Sequence, residues 1–327
     1  MSITTSWGII GPGKIAKKFA VALGLVEGAV LRAVASRDAG KAAAFAVEYG
    51  AAVSYGSYEE LAADPAIDAV YVATPHGFHM EHAILCLRHG KAVLCEKPMA
   101  LSAREVSAMI AASRESGSFL MEAMWTRFIP MMRSVSELVE SGKIGGVKYI
   151  RADFGFLAPF DAGGRLYNMR LGGGSLLDIG IYPLFLCTQL FGRPSRITAA
   201  GELSPTGSDF TCHVVLQYEE GRSAVISSTL LCQTSLTAEI AGTEGMIRIA
   251  SPWYKNDRYE WARTGGVLDT VVLEPMVNGF EYQIREVMEC LRNGRLESPL
   301  LPHRFSLMMA EIMDEIRRQV GVRYPTE

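Results

Sequence analysis

The sequence predicts two units of different class in one chain: an α/β unit with a doubly wound parallel sheet, then an α+β unit on a mostly antiparallel open sheet. Three observations predict this. At 327 residues the chain is about two domains long. Through its first third, short β-rich runs alternate with helix-period stretches, the pattern of right-handed βαβ crossovers. Beyond about Glu122 the alternation stops, and β-like runs follow one another across polar turns that contain glycine. The expected units are residues 1–122 and 123–327, with the last helix packing back on the first.

Element by element, residues 7–10, 30–35, 69–73, 92–95 and 119–121 are expected strands, since each is short, apolar and bounded by turn residues. Between them, residues 14–26, 39–49, 58–63, 80–88 and 102–116 carry apolar side chains at helical spacing. In the second unit residues 147–154, 195–203, 210–218, 223–231, 238–241 and 246–249 read as strands. Glu219-Glu220-Gly221 and Thr243-Glu244-Gly245 supply turns between them. Residues 281–291 and 303–320 are amphipathic and close the chain as helices.

Composition narrows the function classes. Lys plus Arg minus Asp plus Glu is 32 − 35 = −3, without a basic run, so neither a nucleic-acid nor a membrane partner is expected. The opening residues, Met1 to Trp7, lack a charged segment followed by an apolar one, and no signal peptide is expected. The longest strongly apolar stretch, 179–191, is broken by Pro183 and Gln189 and falls short of the ~20 residues that span a bilayer. Six cysteines without a C-x-x-C pair, most of them inside apolar runs, read as buried thiols of a cytoplasmic protein with no metal site.

The 32 glycines gain meaning from where they fall. Gly11-Pro12-Gly13-Lys14-Ile15-Ala16 follows the first strand and opens the first helix, the context of a Rossmann dinucleotide fingerprint. Gly11 permits the tight turn, Gly13 lets backbone approach a pyrophosphate, and Ala16 keeps helix and strand close. The helix N-terminus adds unpaired N–H groups and partial positive charge. At the end of the second strand stand Ser36 and Arg37, where an acidic residue would bind a ribose hydroxyl. A hydroxyl followed by a guanidinium suits a 2′-phosphate, so NADP is expected over NAD. The alternative leaves Arg37 as a solvated loop charge and Asp38 as a helix cap.

Two more strand ends are expected at the same crevice. Pro75 forces the chain out of the sheet after Thr74, and His76 and His79 follow, either lining the nicotinamide pocket or filling capping and surface roles. Glu96-Lys97-Pro98 ends another apolar strand, and a lysine partly desolvated there can donate to a substrate hydroxyl or stabilise a nearby oxyanion.

The fingerprint, the turn from Thr74 to His79, Glu96-Lys97-Pro98 and the antiparallel second unit together resemble the glucose-fructose oxidoreductase/inositol dehydrogenase (Gfo/Idh/MocA) family over the whole chain. The stretches Met121-Glu-Ala-Met-Trp125-Thr-Arg127-Phe128 and Gly172-Gly-Gly-Ser-Leu-Leu-Asp178-Ile-Gly-Ile-Tyr182 are similar to its dimeric dihydrodiol dehydrogenase branch, which also acts as NADP-dependent D-xylose dehydrogenase. The resemblance implies that Lys97 is catalytic, that the bond to Pro98 is often cis, and that copies pair through the open sheet as a homodimer or dimer-based tetramer. The family's usual Asp-x-x-x-His becomes Asp178-x-x-x-Tyr182 here, as in that branch.

The second motif is intelligible from its residues. Gly172 to Gly174 form a flexible approach to a helix, Ser175 is a plausible cap, and a spacing of four puts Asp178 and Tyr182 on one face. A phenol, of pKa ~10, needs a nearby cation to serve as a base, and Lys97 could supply it. The alternative for Tyr182 is aromatic packing. Trp125, Arg127, Phe154 and Tyr282 are expected to hold substrate, with Asp153, Arg165 and Tyr167 as further pocket candidates. The expected function is hydride transfer between NADP and a trans-dihydrodiol or an aldose such as D-xylose. The rivals are reduction of an anhydrofructose-type keto-sugar, or NADP(H) sensing without catalysis.

Overall fold

The computed structural model describes residues 4–325. Met1 to Ile3, where no signal peptide was expected, lie outside the described residues. The chain forms two compact units: one runs to Trp125 and includes Val277–Leu307, the other is Thr126–Met276 together with the residues from Met308 onward.

The first unit is a six-stranded parallel sheet. Its strands are β1 (Thr5–Ile10), β2 (Ala29–Ala35), β3 (Val53–Tyr55), β4 (Ala69–Val72), β5 (Ala92–Glu96) and β6 (Leu120–Ala123), in the order β3-β2-β1-β4-β5-β6. The crossovers are α1 (Lys14–Leu23), α2 (Ala39–Tyr49), α3 (Tyr58–Ala63), α4 (His79–Arg88) and α5 (Ala103–Ser116). The order reverses at β1, so the carboxyl ends of β1 and β4 flank the switch point where such sheets bind ligands. Apolar burial fixes this register: Trp7, Ile9, Phe19, Tyr71 and Leu94 are fully buried, and Phe19 stacks on Tyr71 with ring centroids 3.8 Å apart. Strand β3 was not expected, because three residues are too few for alternation to show.

The second unit opens with α6 (Pro130–Glu140) and builds an eight-stranded sheet from β7 (Val147–Gly155), β8 (Arg196–Leu203), β9 (Asp209–Gln217), β10 (Ser223–Thr229), β11 (Ala238–Gly242), β12 (Gly245–Ile249), β13 (Arg258–Arg263) and β14 (Asp269–Val272). Its order is β14-β13-β12-β11-β7-β10-β9-β8; every pair is antiparallel except β7 with β10. The last two strands escaped the sequence reading: β13 alternates charged with aromatic residues over only six positions, and β14 is a short, largely exposed edge strand. Across one sheet face lies α7 (Ile181–Phe191). It ends the segment Met169–Phe191, a 3₁₀ turn, the glycine approach and a helix, which is by length and composition alone apolar enough to cross a membrane. That segment is a core element: 89% of its apolar window is buried inside the protein.

The chain then returns to the first unit with α8 (Phe280–Arg292), which packs on α1 beside a hydrogen bond from Asn278 Nδ2 to the Lys18 carbonyl (3.0 Å). Of α9 (His303–Val320), the first turn belongs with the first unit, where His303 Nε2 meets the Leu120 carbonyl at 2.8 Å. The remainder belongs with the second, where Gln319 bonds the backbone of Ala199 and Ile197.

Candidate active site

The glycine turn sits between the ends of β1 and β4. Gly11 has φ +85°, and a Cβ there would stand 3.0 Å from the Ala73 carbonyl group and from Thr74 Cγ2, so both conformation and space call for glycine. Gly13 is the N-cap of α1 and contributes no side chain to it; no protein atom lies within 4 Å of where its Cβ would be. The first turn of α1 carries no acidic residue. Open space, N–H groups without a side-chain cap and the helix dipole together fit a dinucleotide pyrophosphate.

At the end of β2, Ser36 is buried and its Oγ accepts from the Asp38 amide (3.2 Å), while Asp38 caps α2 by accepting from Lys41 N (3.1 Å). The structure thus shows Asp38 as a helix cap and Arg37 as an exposed charge. Its guanidinium rests over the Phe78 ring, 5.8 Å from the centroid.

At the end of β4 the histidines are buried, not capping or surface groups. His76 lies in a short 3₁₀ turn, His76–Phe78, and His79 opens α4 with no exposed surface. His79 Nδ1 is 2.8 Å from the Pro98 carbonyl and Nε2 2.8 Å from that of Thr74, so one ring spans the segments leaving β4 and β5. Burial pulls its pKa down to about 4 against these two bonds, which keeps the ring neutral at pH 7, donating to one of the two carbonyls. His82, whose Nδ1 meets Thr74 Oγ1 at 3.0 Å, is likewise lowered to about 4 by burial and then by the Arg37 charge.

Lys97 follows β5, and its peptide bond to Pro98 is cis. The Glu96 carboxylate turns inward: it accepts from Tyr71 Oη and from the Lys97 amide (3.1 Å). Burial raises its pKa to about 7, against the Lys97 ammonium and the Tyr71 hydroxyl. Glu122 on β6, also raised by burial, accepts from Met99 N at 3.0 Å and braces the same segment. Trp125 and Tyr282 also belong to this unit; Trp125 stacks on Phe280 at 5.5 Å, and Arg285 lies over the Tyr282 ring.

Arg127, Phe154, Asp178 and Tyr182 belong to the second unit, where Phe154 and Tyr182 are in ring contact. Asp178 is buried, and Arg165 grips it with two bonds, Nη1–Oδ1 2.7 Å and Nη2–Oδ2 3.3 Å. The turn Leu176–Gly180 is wound wider than an α-helix and runs directly into α7, which presents Tyr182. The Tyr182 ring packs against Phe154 (5.6 Å) and Tyr254 (5.3 Å), which stack on each other at 4.4 Å.

Three expectations change here. Ser175 makes no cap with its own hydroxyl, which instead donates to Asp209. Asp153 is committed to the backbone and hydroxyl of Ser235 to Thr237. Tyr167 is buried, with its hydroxyl donating to the Ala158 carbonyl (2.8 Å). Sequence reasoning missed Tyr254, signalled only by the aromatic pair Trp253-Tyr254, and Tyr71, Glu122 and Asp209, which no local motif marks. Among the described residues no cluster of three His, Cys, Asp or Glu side chains could hold a metal, and five of the six cysteines are buried.

Comparison with known proteins adds a frame. Residues 5–124 match the model of an oxidoreductase family with an NAD-binding Rossmann fold, and residues 132–248 that of a GFO/IDH/MocA C-terminal domain. The sequence is 39% identical over 339 residues to trans-1,2-dihydrobenzene-1,2-diol dehydrogenase of Xenopus laevis, covering 99% of this chain and 100% of that one. To the human protein of that name it is 36% identical, with 98% of each chain covered. Among solved structures, a 3-ketoreductase from Actinomadura kijaniata in complex with NADP superposes with TM-score 0.88 at 26% identity, covering 98% of this chain and 99% of that one. An aldose-aldose oxidoreductase from Caulobacter crescentus does so with TM-score 0.88 at 26% identity, covering 97% and 98%.

Proposed function

We infer the function of this chain from one premise: it belongs to the GFO/IDH/MocA oxidoreductase family and is an NAD(P)-binding oxidoreductase. The inference is that it prefers NADP and oxidises a CH–OH group of a small polyhydroxylated substrate, a trans-dihydrodiol or an aldose such as D-xylose. The observation that carries it is the carboxyl edge of the parallel sheet. There Gly11 and Gly13 after β1 offer a pyrophosphate cradle, Arg37 after β2 an exposed guanidinium and Lys97 after β5 an ammonium, all at the same edge of the sheet.

The chain's own groups divide the work. Gly11 to Ala16 hold the pyrophosphate, and Ser36 with Arg37 hold the 2′-phosphate. Bound nicotinamide supplies the hydride acceptor or donor. Tyr182 Oη takes the proton of the substrate alcohol, Lys97 stabilises the phenolate by its charge, and Asp178, fixed by Arg165, orients a substrate hydroxyl as acceptor. The same groups run in reverse on a carbonyl, so a keto-sugar reductase differs in direction and substrate rather than in parts.

The test is to incubate the protein with NADP and a panel of diols and sugars and follow nicotinamide absorbance. Turnover is expected, and Lys97→Met and Tyr182→Phe should each lower it by about 10²- to 10⁴-fold with only modest loss of NADPH binding. Near-normal turnover in either variant overturns the mechanism, and NADP(H) binding without turnover on any substrate leaves the sensor as the better reading.

A further inference from the structure

The helix that presents Asp178 and Tyr182 begins without a cap of its own. Ser175, at its start, makes no side-chain bond to the first-turn amides. The bond comes from outside the helix: Asp209, at the start of β9 and almost fully buried, places Oδ2 2.7 Å from the Leu176 amide and 2.7 Å from Ser175 Oγ. Ser228 of β10 completes the network, its hydroxyl 2.9 Å from Ser175 Oγ. One donor hydroxyl and one backbone N–H thus converge on a single carboxylate oxygen at a helix N-terminus, where the dipole favours negative charge.

The room for that carboxylate is built into the backbone. Gly174 has φ +133°, and a Cβ there would stand 2.2 Å from Asp209 Oδ1. Tyr324, donating to the Gly173 carbonyl at 2.7 Å, pins the same approach from the C-terminal end of the chain. Asp209 Oδ1 is buried with no hydrogen-bond partner among the described residues, so the carboxylate is retained in spite of a desolvation cost. Burial pushes its pKa up to about 6, against the Ser175 hydroxyl and the Leu176 amide. A group kept in so costly a place is explained by what it holds, and two residues beyond Leu176 stands Asp178.

We propose that Asp209 is a positioning residue for the reaction: as an external N-cap admitted by Gly174, it fixes the turn Leu176–Gly180 and through it the placement of Asp178 and Tyr182. The proposal rests on the function inferred above for those two residues, and its test separates the two claims. Asp209→Ala is expected to lower kcat per folded molecule at least tenfold at saturating substrate, while NADPH affinity, a property of the first unit, stays within twofold. Asp209→Asn retains an amide oxygen able to accept from Ser175 and Leu176, and should restore kcat to within about threefold of wild type.

Independently of activity, amide hydrogen exchange at Leu176 to Gly180 should quicken at least tenfold in Asp209→Ala, with the strands of the second sheet unchanged. Gly174→Ala, which crowds the carboxylate without removing it, should quicken the same amides and serves if Asp209→Ala does not fold. Unchanged protection of that turn overturns the proposal whether or not a substrate has been found. So does an Asp209→Asn variant as slow as Asp209→Ala, because a cap needs the acceptor and not the charge. Wild-type protein inert on every substrate, with exchange behaving as expected, would sink the inferred reaction and leave the cap standing.

Discussion

Arg37 is an ordinary surface charge in the structure and the residue on which the proposed preference for NADP turns. Its side chain is exposed and its guanidinium lies over the Phe78 ring; a planar guanidinium can fork onto phosphate oxygens. Hydrogen bonds to a charged group are worth about 1.5–3 kcal/mol each, or roughly 10- to 150-fold in affinity. Arg37→Ala should therefore weaken NADPH binding by about that factor and leave NADH nearly untouched; fluorescence titration with both cofactors checks it, and an equal effect on the two would remove Arg37 from the 2′-phosphate site. The same charge helps hold His82 neutral. Residues at this scale were legible in the sequence where they are local, as Asp38 capping α2 three residues before Lys41. Tyr71 was not legible: it meets Glu96 only because β4 and β5 are neighbours in the sheet, and no spacing along the chain encodes that pairing.

At the scale of elements, α1 is the helix on which the proposed pyrophosphate site rests. Its N-terminus forgoes the side-chain cap that α2, α3 and α5 each have in Asp38, Ser57 and Ser102. Such caps are worth ~1 kcal/mol each; α4, α6 and α8 also start without one, and what sets Gly13 apart is the open space around it. Gly13→Ala should change folding stability by less than about 0.5 kcal/mol, since its φ of −96° suits alanine and its Cβ meets nothing. Yet it should weaken NADPH at least tenfold, as read by paired thermal melts and binding titrations; unimpaired binding would take the pyrophosphate away from Gly13. The helices and core strands were legible because apolar periodicity and caps are local signals. The second unit's helix start was not. Ser175 looked like its cap, and the group that does the capping comes from β9, beyond both α7 and β8 in the chain.

For the whole molecule, the open sheet of the second unit raises the question of what covers its outer face. Along β9, buried Cys212, Val214 and Leu216 alternate with exposed His213, Val215 and Gln217, so one face is packed and the other is not. We propose that a second copy covers that face, an isologous pairing through the open sheet. Light scattering on the eluted protein should give about twice the 35.6 kDa chain mass or a multiple of it, and a species at one chain mass would refute pairing. A change of pattern near Glu122 was the only sign in the sequence of where the two units divide, and the expected return of the last helix to the first unit is corrected: Val277–Leu307, which holds α8 and the first turn of α9, belongs there and the rest of α9 does not, because an ordinary amphipathic signature does not say which partner a helix will choose. That return has a bearing on biosynthesis. A ribosome releases β1 to β6 early, but the surface of α1 that α8 covers stays bare until all of Thr126–Met276 has emerged. At 5–20 residues per second that wait is on the order of ten seconds or more, so the nucleotide-binding half spends its infancy unfinished, in need of a chaperone's shelter or of cofactor itself as a temporary brace.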